Sequence, residues 1–341
     1  MIILIYVLYS PENISGLYFL SLNISSLFFD MIFRGGDLSM AFRTLEITNP
    51  TEIHIKNFQL ELTQENQEPI YIPIEDIAQI TTIGANIRLS TMDLSILSQN
   101  HVAITTLDEK YLPTAIVLPF EGNARQSQLI HQQVDYPSGK YQDLWLQIIK
   151  QKISNQSRGL SILGFDGAER IASYAEALTI ENVDYSESIA AKEYFSYYHE
   201  GLNRRGDDPV NSRLNYGYAV VRSAIARSIV SVGCHPAFGV HHNNQLNAFN
   251  LADDLIEPFR AIVDLVAHDN IGPNEKLTKT ERYNLAHVLH NACIVDGIKV
   301  NLLSAIELMS ESYKRILMHE SDEQLALPVI LPVESMEGIS I

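Results

Sequence analysis

The hydrophobic period of this chain changes once, and that change limits what it can fold into. From 40 to 119 apolar residues alternate with polar ones. Thr44-Leu-Glu-Ile-Thr, Glu52-Ile-His-Ile-Lys and Gln59-Leu-Glu-Leu-Thr each present one apolar face with period two. Ile70-Tyr-Ile-Pro-Ile, Ile77-Ala-Gln-Ile-Thr-Thr-Ile and His101-Val-Ala-Ile-Thr-Thr-Leu continue the set. Ser90 to Gln99 reads as one amphipathic helix with Ser90 or Thr91 as its cap. From about Lys140 to Leu317 the spacing becomes three and four, as in Leu144, Trp145, Ile148, Ile149 and Ile153. The expectation is an α+β protein: a β-sandwich-like domain at 40–119, a polar linker at 120–140, an all-α domain at 141–320 and an acidic tail at 321–341. The 341 residues suit two domains.

Residues 1–39 do not fit this pattern. They are rich in Ile, Leu, Phe, Tyr and Ser, and only Glu12, Asp30, Arg34 and Asp37 carry charge. No positive n-region or small-residue cleavage site marks a signal peptide. The longest uncharged run, 13–29, is interrupted by Asn, Ser and Gly and is short for a membrane span. These residues are read as an upstream extension, with Met40 as the natural start. Cys234 and Cys293 are too few for a disulfide framework or a cysteine-based zinc site, and they suit a reducing cytoplasm.

A net charge of −17 argues against a nucleic-acid partner, but the charges are unevenly placed. Residues 203–230 hold arginines at 204, 205, 213, 222 and 227 against aspartates at 207 and 208, whereas 316–341 hold no Lys or Arg. A local basic face is therefore expected. Arg204, Arg205, Arg222, Arg227 and Arg260 are its candidate phosphate contacts, against the alternative of intramolecular pairs.

Chemistry concentrates between Gly233 and Arg260. A turn punctuated by Pro236 and Gly239 ends on His241 and His242, and Asp253, Asp254 and Glu257 follow. Imidazole beside carboxylate suits Mg²⁺ or Mn²⁺. The competing reading is that these acids only complement a helix dipole. Pro258 frees the carbonyl four residues back and predicts a kink at the acidic turn. The adjacent histidines point different ways, so one of them is the candidate ligand, and spacing alone does not choose between them. Glu187 lies one turn before Ala190, Ala191 and Tyr194 on a packed face, where a carboxylate needs a partner.

Four segments occur in a fixed order: Glu-x-x-Ala-Ala-x-x-Tyr-Phe from 187, Arg-x-Asp-Asp-Pro-Val-Asn-Ser-x-Leu-Asn-Tyr-Gly-Tyr from 205, Gly-x-x-Pro-x-x-Gly-x-x-His from 233, and Leu-Ala-Asp-Asp-Leu-Ile-Glu-Pro-Phe-Arg from 251. In combination they closely resemble the CRISPR-associated integrase, the metal-dependent endonuclease subunit of the spacer-acquisition complex. The Asn-Gln-x-x-Ala-Phe-Asn stretch resembles the branch found in type II systems. The resemblance covers about 40–320. It implies a β-domain followed by a helical domain, and a Mg²⁺ or Mn²⁺ site made by Glu187, His242 and Glu257, with Asp254 as a fourth ligand or a supporting residue. It implies insertion of prespacer DNA at CRISPR repeat borders by 3′-OH transesterification. It also implies two homodimers bridged by a dimer of a small ferredoxin-like subunit, further type II partners and no membrane. Two alternatives stand beside it: a stand-alone nuclease of the same fold acting on branched DNA, and a structural adaptor without activity. The Leu-Pro-Val-Ile-Leu-Pro-Val run from 327 is expected either to dock as an extended strand on a partner or to be unstructured.

Overall fold

A computed structural model describes residues 43–83, 86–108, 113–120, 123–204, 206, 208–269, 277–319 and 324–333. Residues 1–39 and Arg205 lie outside them. The chain divides into two compact units, the first built on the strands up to Val117 and the second on 118–333.

The first unit contains β1 (Arg43–Ile47), β2 (Thr51–Lys56), β3 (Gln59–Thr63), β4 (Ile70–Pro73), β5 (Ile77–Ile83), β6 (Ile87–Leu89), α1 (Thr91–Gln99), β7 (Ala103–Leu107) and β8 (Pro113–Val117). They form two four-stranded sheets, ordered β1-β5-β7-β8 and β4-β3-β2-β6. The alternation read from the sequence is the burial pattern: Ile53 on β2 and Leu60 and Leu62 on β3 turn inward, and they join Leu45, Ile72, Ile80 and Ile104 in one core. Ser90 caps α1 in a box with Asp93. The Asp93 carboxylate also accepts the Ile55 amide at 2.9 Å, which fixes the helix against β2.

The second unit runs α2 (Gln126–Asp135), α3 (Ser138–Leu163), α4 (Ala168–Glu176), α5 (Val183–Tyr198), α6 (Pro209–Ser231), α7 (Asn250–Leu255), a 3₁₀ turn (Glu257–Phe259), α8 (Arg260–Asp269), α9 (Lys279–Ala286), β9 (Ala292–Val295), β10 (Ile298–Asn301), α10 (Leu302–Leu317) and β11 (Val329–Ile330). No helix among the described residues is long and apolar enough to cross a membrane.

This unit departs from the expectation in three places. First, the polar linker at 120–140 contains a helix, α2, because Leu129 and Gln133 are both buried. Second, the unit is not all-α. Asp296 and Gly297 both take positive φ, 49° and 80°, and so close a two-residue hairpin between β9 and β10. Third, residues 325–330 of the tail dock on this chain itself. β11 pairs antiparallel with β9, and Leu325, Ala326 and Ile330 are buried.

The long helix α6 passes through the core and uses up several of the arginines. Arg213 is fully buried and bonds Glu281 through Nε at 3.0 Å. Arg227 is also buried and pairs with Glu307 at 3.2 Å. These side chains satisfy internal carboxylates.

A buried carboxyl, Asp264 on α8, accepts hydrogen bonds from Tyr194 at 2.8 Å and from Tyr218. Tyr198 donates to its backbone carbonyl at 2.8 Å. Burial pushes this carboxyl up to about 6, although both phenols favour the ionised form. A raised carboxyl contributes stability that is complete below its unfolded value near 4 and is lost as pH rises through the folded value. The Asp264→Asn variant is therefore expected to gain on the wild type by roughly 3 kcal/mol between pH 4 and pH 7.5. Denaturant midpoints compared across that range test this, and a pH-independent difference would count against it.

Candidate functional site

The site lies within the helical unit, where α3, α5, the 233–242 turn and the α7–α8 corner meet. Pro258 breaks the acidic helix as its ring requires: α7 ends at Leu255, and Glu257 opens the 3₁₀ turn that leads into α8. The break leaves Glu257 buried and facing α3.

On α3 the buried residue Lys152 joins the two distant glutamates. Its ammonium bonds Glu187 Oε1 and lies 2.6 Å from Glu257 Oε2. The other oxygen of Glu257 accepts Arg260 Nε at 2.9 Å. Burial alone would raise the Glu257 carboxyl, but Arg260 and Lys152 outweigh it and hold the group at about 2. Burial also works against the Lys152 charge, and Glu257 and then Glu187 reverse this, so its net direction is upward. The Glu257 carboxylate therefore stays ionised through the neutral range.

The histidine turn is held from two sides. Behind it, Gln133 pairs with the His235 backbone in both directions. Its Oε1 accepts the amide at 2.7 Å and its Nε2 donates to the carbonyl at 3.1 Å. In front, the fully buried Asp254 accepts the His241 amide at 2.8 Å and the His242 amide at 3.2 Å, and it bonds the His242 Nδ1. A Cβ on Gly239 would stand 2.3 Å from the His242 carbonyl and 2.7 Å from Asp254 Oδ2. Only glycine allows this approach. With Nδ1–H engaged by Asp254, the neutral His242 ring carries its lone pair on Nε2. The hydrogen bond to Asp254 is the main reason its imidazole titrates above the usual range.

His241 goes elsewhere. Its ring stacks flat on Trp145, with centroids 4.3 Å apart. The Trp145 indole N–H donates to Asp184 at 3.0 Å, and the same carboxylate lies 3.5 Å from His241 Nε2. His242 meets the Trp145 edge at 5.8 Å. Beyond the turn, Asn250 is buried and donates to the carbonyls of Ala237, Asn244 and Asn247, which fixes the 242–250 loop.

The expected arginines divide. Arg204 and Arg260 flank one ring, with their guanidinium carbons 5.6 and 4.6 Å from the Tyr218 centroid. Both are partly exposed. Arg222 is paired with Asp253, and Arg227 is the buried partner of Glu307 described above. Arg204 also donates to the Asn211 and Asn215 side chains, and Arg260 to Glu257, so among the described residues each of the expected arginines 204, 222, 227 and 260 has an internal partner.

The donor chemistry suits a hard divalent cation, with two carboxylates and an imidazole oriented by a buried acid. Lys152 spans the two glutamates, and no three acid or histidine side chains gather closely enough among the described residues to hold an ion.

Lys152, Gln133 and Trp145 were not read as site residues from the sequence. Lys152 could have been found. It falls seven residues after Trp145 on the same apolar stripe of α3, where a lysine needs a buried acid. Nothing distinguished Gln133 from its neighbouring glutamines.

The CRISPR associated protein Cas1 family matches residues 45–291. A CRISPR-associated endonuclease Cas1 from Neisseria meningitidis serogroup C is 32% identical over 303 residues, which cover 87% of this chain and 99% of that protein. The chain belongs to the Cas1 family. Two solved structures share the Cas1 fold seen here. A casposase bound to integration product superposes with a TM-score of 0.69 at 18% identity, covering 87% of this chain and 96% of that one. A chain of a Cas6-RT-Cas1–Cas2 complex gives 0.67 at 15% identity over 87% of this chain and 37% of that one.

Proposed function

We propose that this Cas1 chain is a divalent-metal-dependent DNA integrase, which inserts prespacer DNA into a CRISPR array by 3′-OH transesterification at repeat borders. One observation carries the reading: Glu187 and Glu257, from separate helices, converge on a single cationic centre, beside a histidine whose Nδ1 is fixed by a buried aspartate.

Glu187, Glu257 and the Nε2 of His242 are the groups that would hold Mg²⁺ or Mn²⁺. Such an ion supplies Lewis-acid stabilisation of the phosphoryl oxygens. The protein's own contribution is positioning and charge. Asp254 sets the tautomer and direction of His242 and is assigned to support rather than to ligation. Arg260, bonded to Glu257 and stacked on Tyr218, and Arg204 across the same ring, present guanidinium groups to DNA phosphates. Arg222 and Arg227 are assigned to internal pairing, and Arg205 remains a candidate from sequence alone.

DNA and a small ferredoxin-like subunit are the proposed partners of a homodimer acting in the cytoplasm. A fold neighbour bound to an integration product and another in a Cas1–Cas2 complex support this reading. The test is a joining assay. Labelled duplex with a 3′-OH or 3′-deoxy end is mixed with the small subunit and a repeat-bearing supercoiled plasmid, in Mg²⁺, Mn²⁺ or chelator. Covalent transfer of label is expected only with the 3′-OH and a cation. Cleavage of branched DNA without joining would favour the stand-alone nuclease, and inertness in every condition would favour the adaptor.

A further inference from the structure

The lysine between the glutamates belongs to none of the motifs that identify the family segments. Its side chain is 8% exposed, and it reaches acids on α5 and on the α7–α8 corner from the middle of α3. The site has a closed side and an open side. Glu257 and Lys152 form the closed side, whereas the Glu187 side chain is 27% exposed and that of His242 is 50% exposed.

Charge matching limits what can happen here. The two glutamates already face two cations, Lys152 and Arg260. A divalent ion added to that set would place excess positive charge at a largely desolvated point, which is costly. The excess is relieved if the ammonium leaves the carboxylates and finds another anion. Lysine suits this exchange, because its charge sits on a flexible four-carbon stem with three rotatable donors, whereas the Arg260 fork is fixed by Glu257 and Tyr218. The anion that arrives with the reaction is a DNA phosphate.

We propose that Lys152 is an exchangeable internal cation: it bridges Glu187 and Glu257 in the free protein and transfers to a DNA phosphate when a divalent ion takes its place, so that metal and DNA bind cooperatively. This rests on the reading of Glu187, His242 and Glu257 as cation ligands. Lys152 stays protonated throughout and only its partner changes. It is a positioning residue, and its effect is a coupling between two ligands, which reciprocity requires to be seen from either side.

The experiment measures Mn²⁺ binding to the full chain by electron paramagnetic resonance, with and without a short branched DNA duplex. In the wild type, Mn²⁺ affinity is expected to rise about tenfold when the duplex is added, within the usual range of such couplings. Lys152→Gln is expected to bind Mn²⁺ about tenfold more tightly than the wild type without DNA, and to show little further gain with it. Lys152→Arg, which keeps a cation, should retain weak binding without DNA. Equal Mn²⁺ affinity in wild type and Lys152→Gln overturns the proposal. So does a wild-type affinity indifferent to DNA, a result that needs no variant to fold. If Mn²⁺ binding survives unchanged in Glu257→Gln, the ligand assignment itself is wrong and this inference falls with it. If Glu257→Gln abolishes binding while Lys152→Gln leaves it unaltered, only the exchange is refuted.

Discussion

Replacing Glu257 by glutamine is expected to reduce DNA joining by at least roughly a hundredfold, the scale seen when a group that stabilises transition-state charge is lost. The substitution keeps the size of the side chain and removes one anion from a buried cluster. Lys152 retains Glu187, and Arg260 retains its place over Tyr218. The cluster is nevertheless left with an excess of positive charge, and removing one member of a buried pair costs about 3–5 kcal/mol. Thermal melting must therefore accompany the assay, so that loss of joining is scored only on folded protein. The wild-type carboxylate is held at about 2. A depressed acid contributes stability above its unfolded value near 4 and loses it only as pH falls through the folded value. Assays at neutral pH therefore compare a charged side chain with an uncharged one. Joining within twofold of wild type would remove Glu257 from the site.

Deleting 325–341 should destabilise the helical unit by about 3–6 kcal/mol, from the burial of Leu325 and Ile330 alone, and lower its melting temperature by on the order of 10 °C. The tail is clasped at several points. Asn155 Nδ2 donates to the Pro328 carbonyl at 2.8 Å, Arg158 Nε to Ile330 at 2.6 Å, and the Leu325 amide to Gln147 at 3.0 Å. The same Asn155 amide donates to the Pro258 carbonyl at 2.7 Å, next to Glu257 and one turn along α3 from Lys152. The tail thus shares its main clasp with the corner that carries the glutamate. Calorimetry on the truncated and full chains decides this, and an unchanged transition would mean that the docked tail contributes nothing.

The sequence revealed frame and site unevenly, for identifiable reasons. Strand alternation in the first unit was legible because one face of each sheet meets a shared core, which forces period two. The break at Pro258 was legible because a proline ring cannot accept a continuing α-helix. The choice of His242 over His241 needed the order of flanking motifs, since both are exposed imidazoles after one glycine. The geometry separates them by partner, Asp254 for one and Trp145 for the other.

What escaped the sequence reading was long-range. Arg227 and Arg213 look like a basic surface on paper, and each is buried against an acid 80 and 68 residues away. Gln133 looked like part of a polar connection, yet it forms a two-way amide pair with a turn 102 residues on. The Asp296-Gly297 hairpin was local and readable, since Asp-Gly between apolar runs is a strong turn signal. The helical period on either side of it masks that signal.

The most direct measurement is anomalous scattering from Mn²⁺ in crystals of the full chain grown with a branched DNA duplex. A single peak bounded by Glu187, Glu257 and the Nε2 of His242, with the Lys152 ammonium moved onto a phosphate, is the predicted result. A peak elsewhere on the chain, or Lys152 still bridging the two glutamates with Mn²⁺ absent from between them, would contradict it.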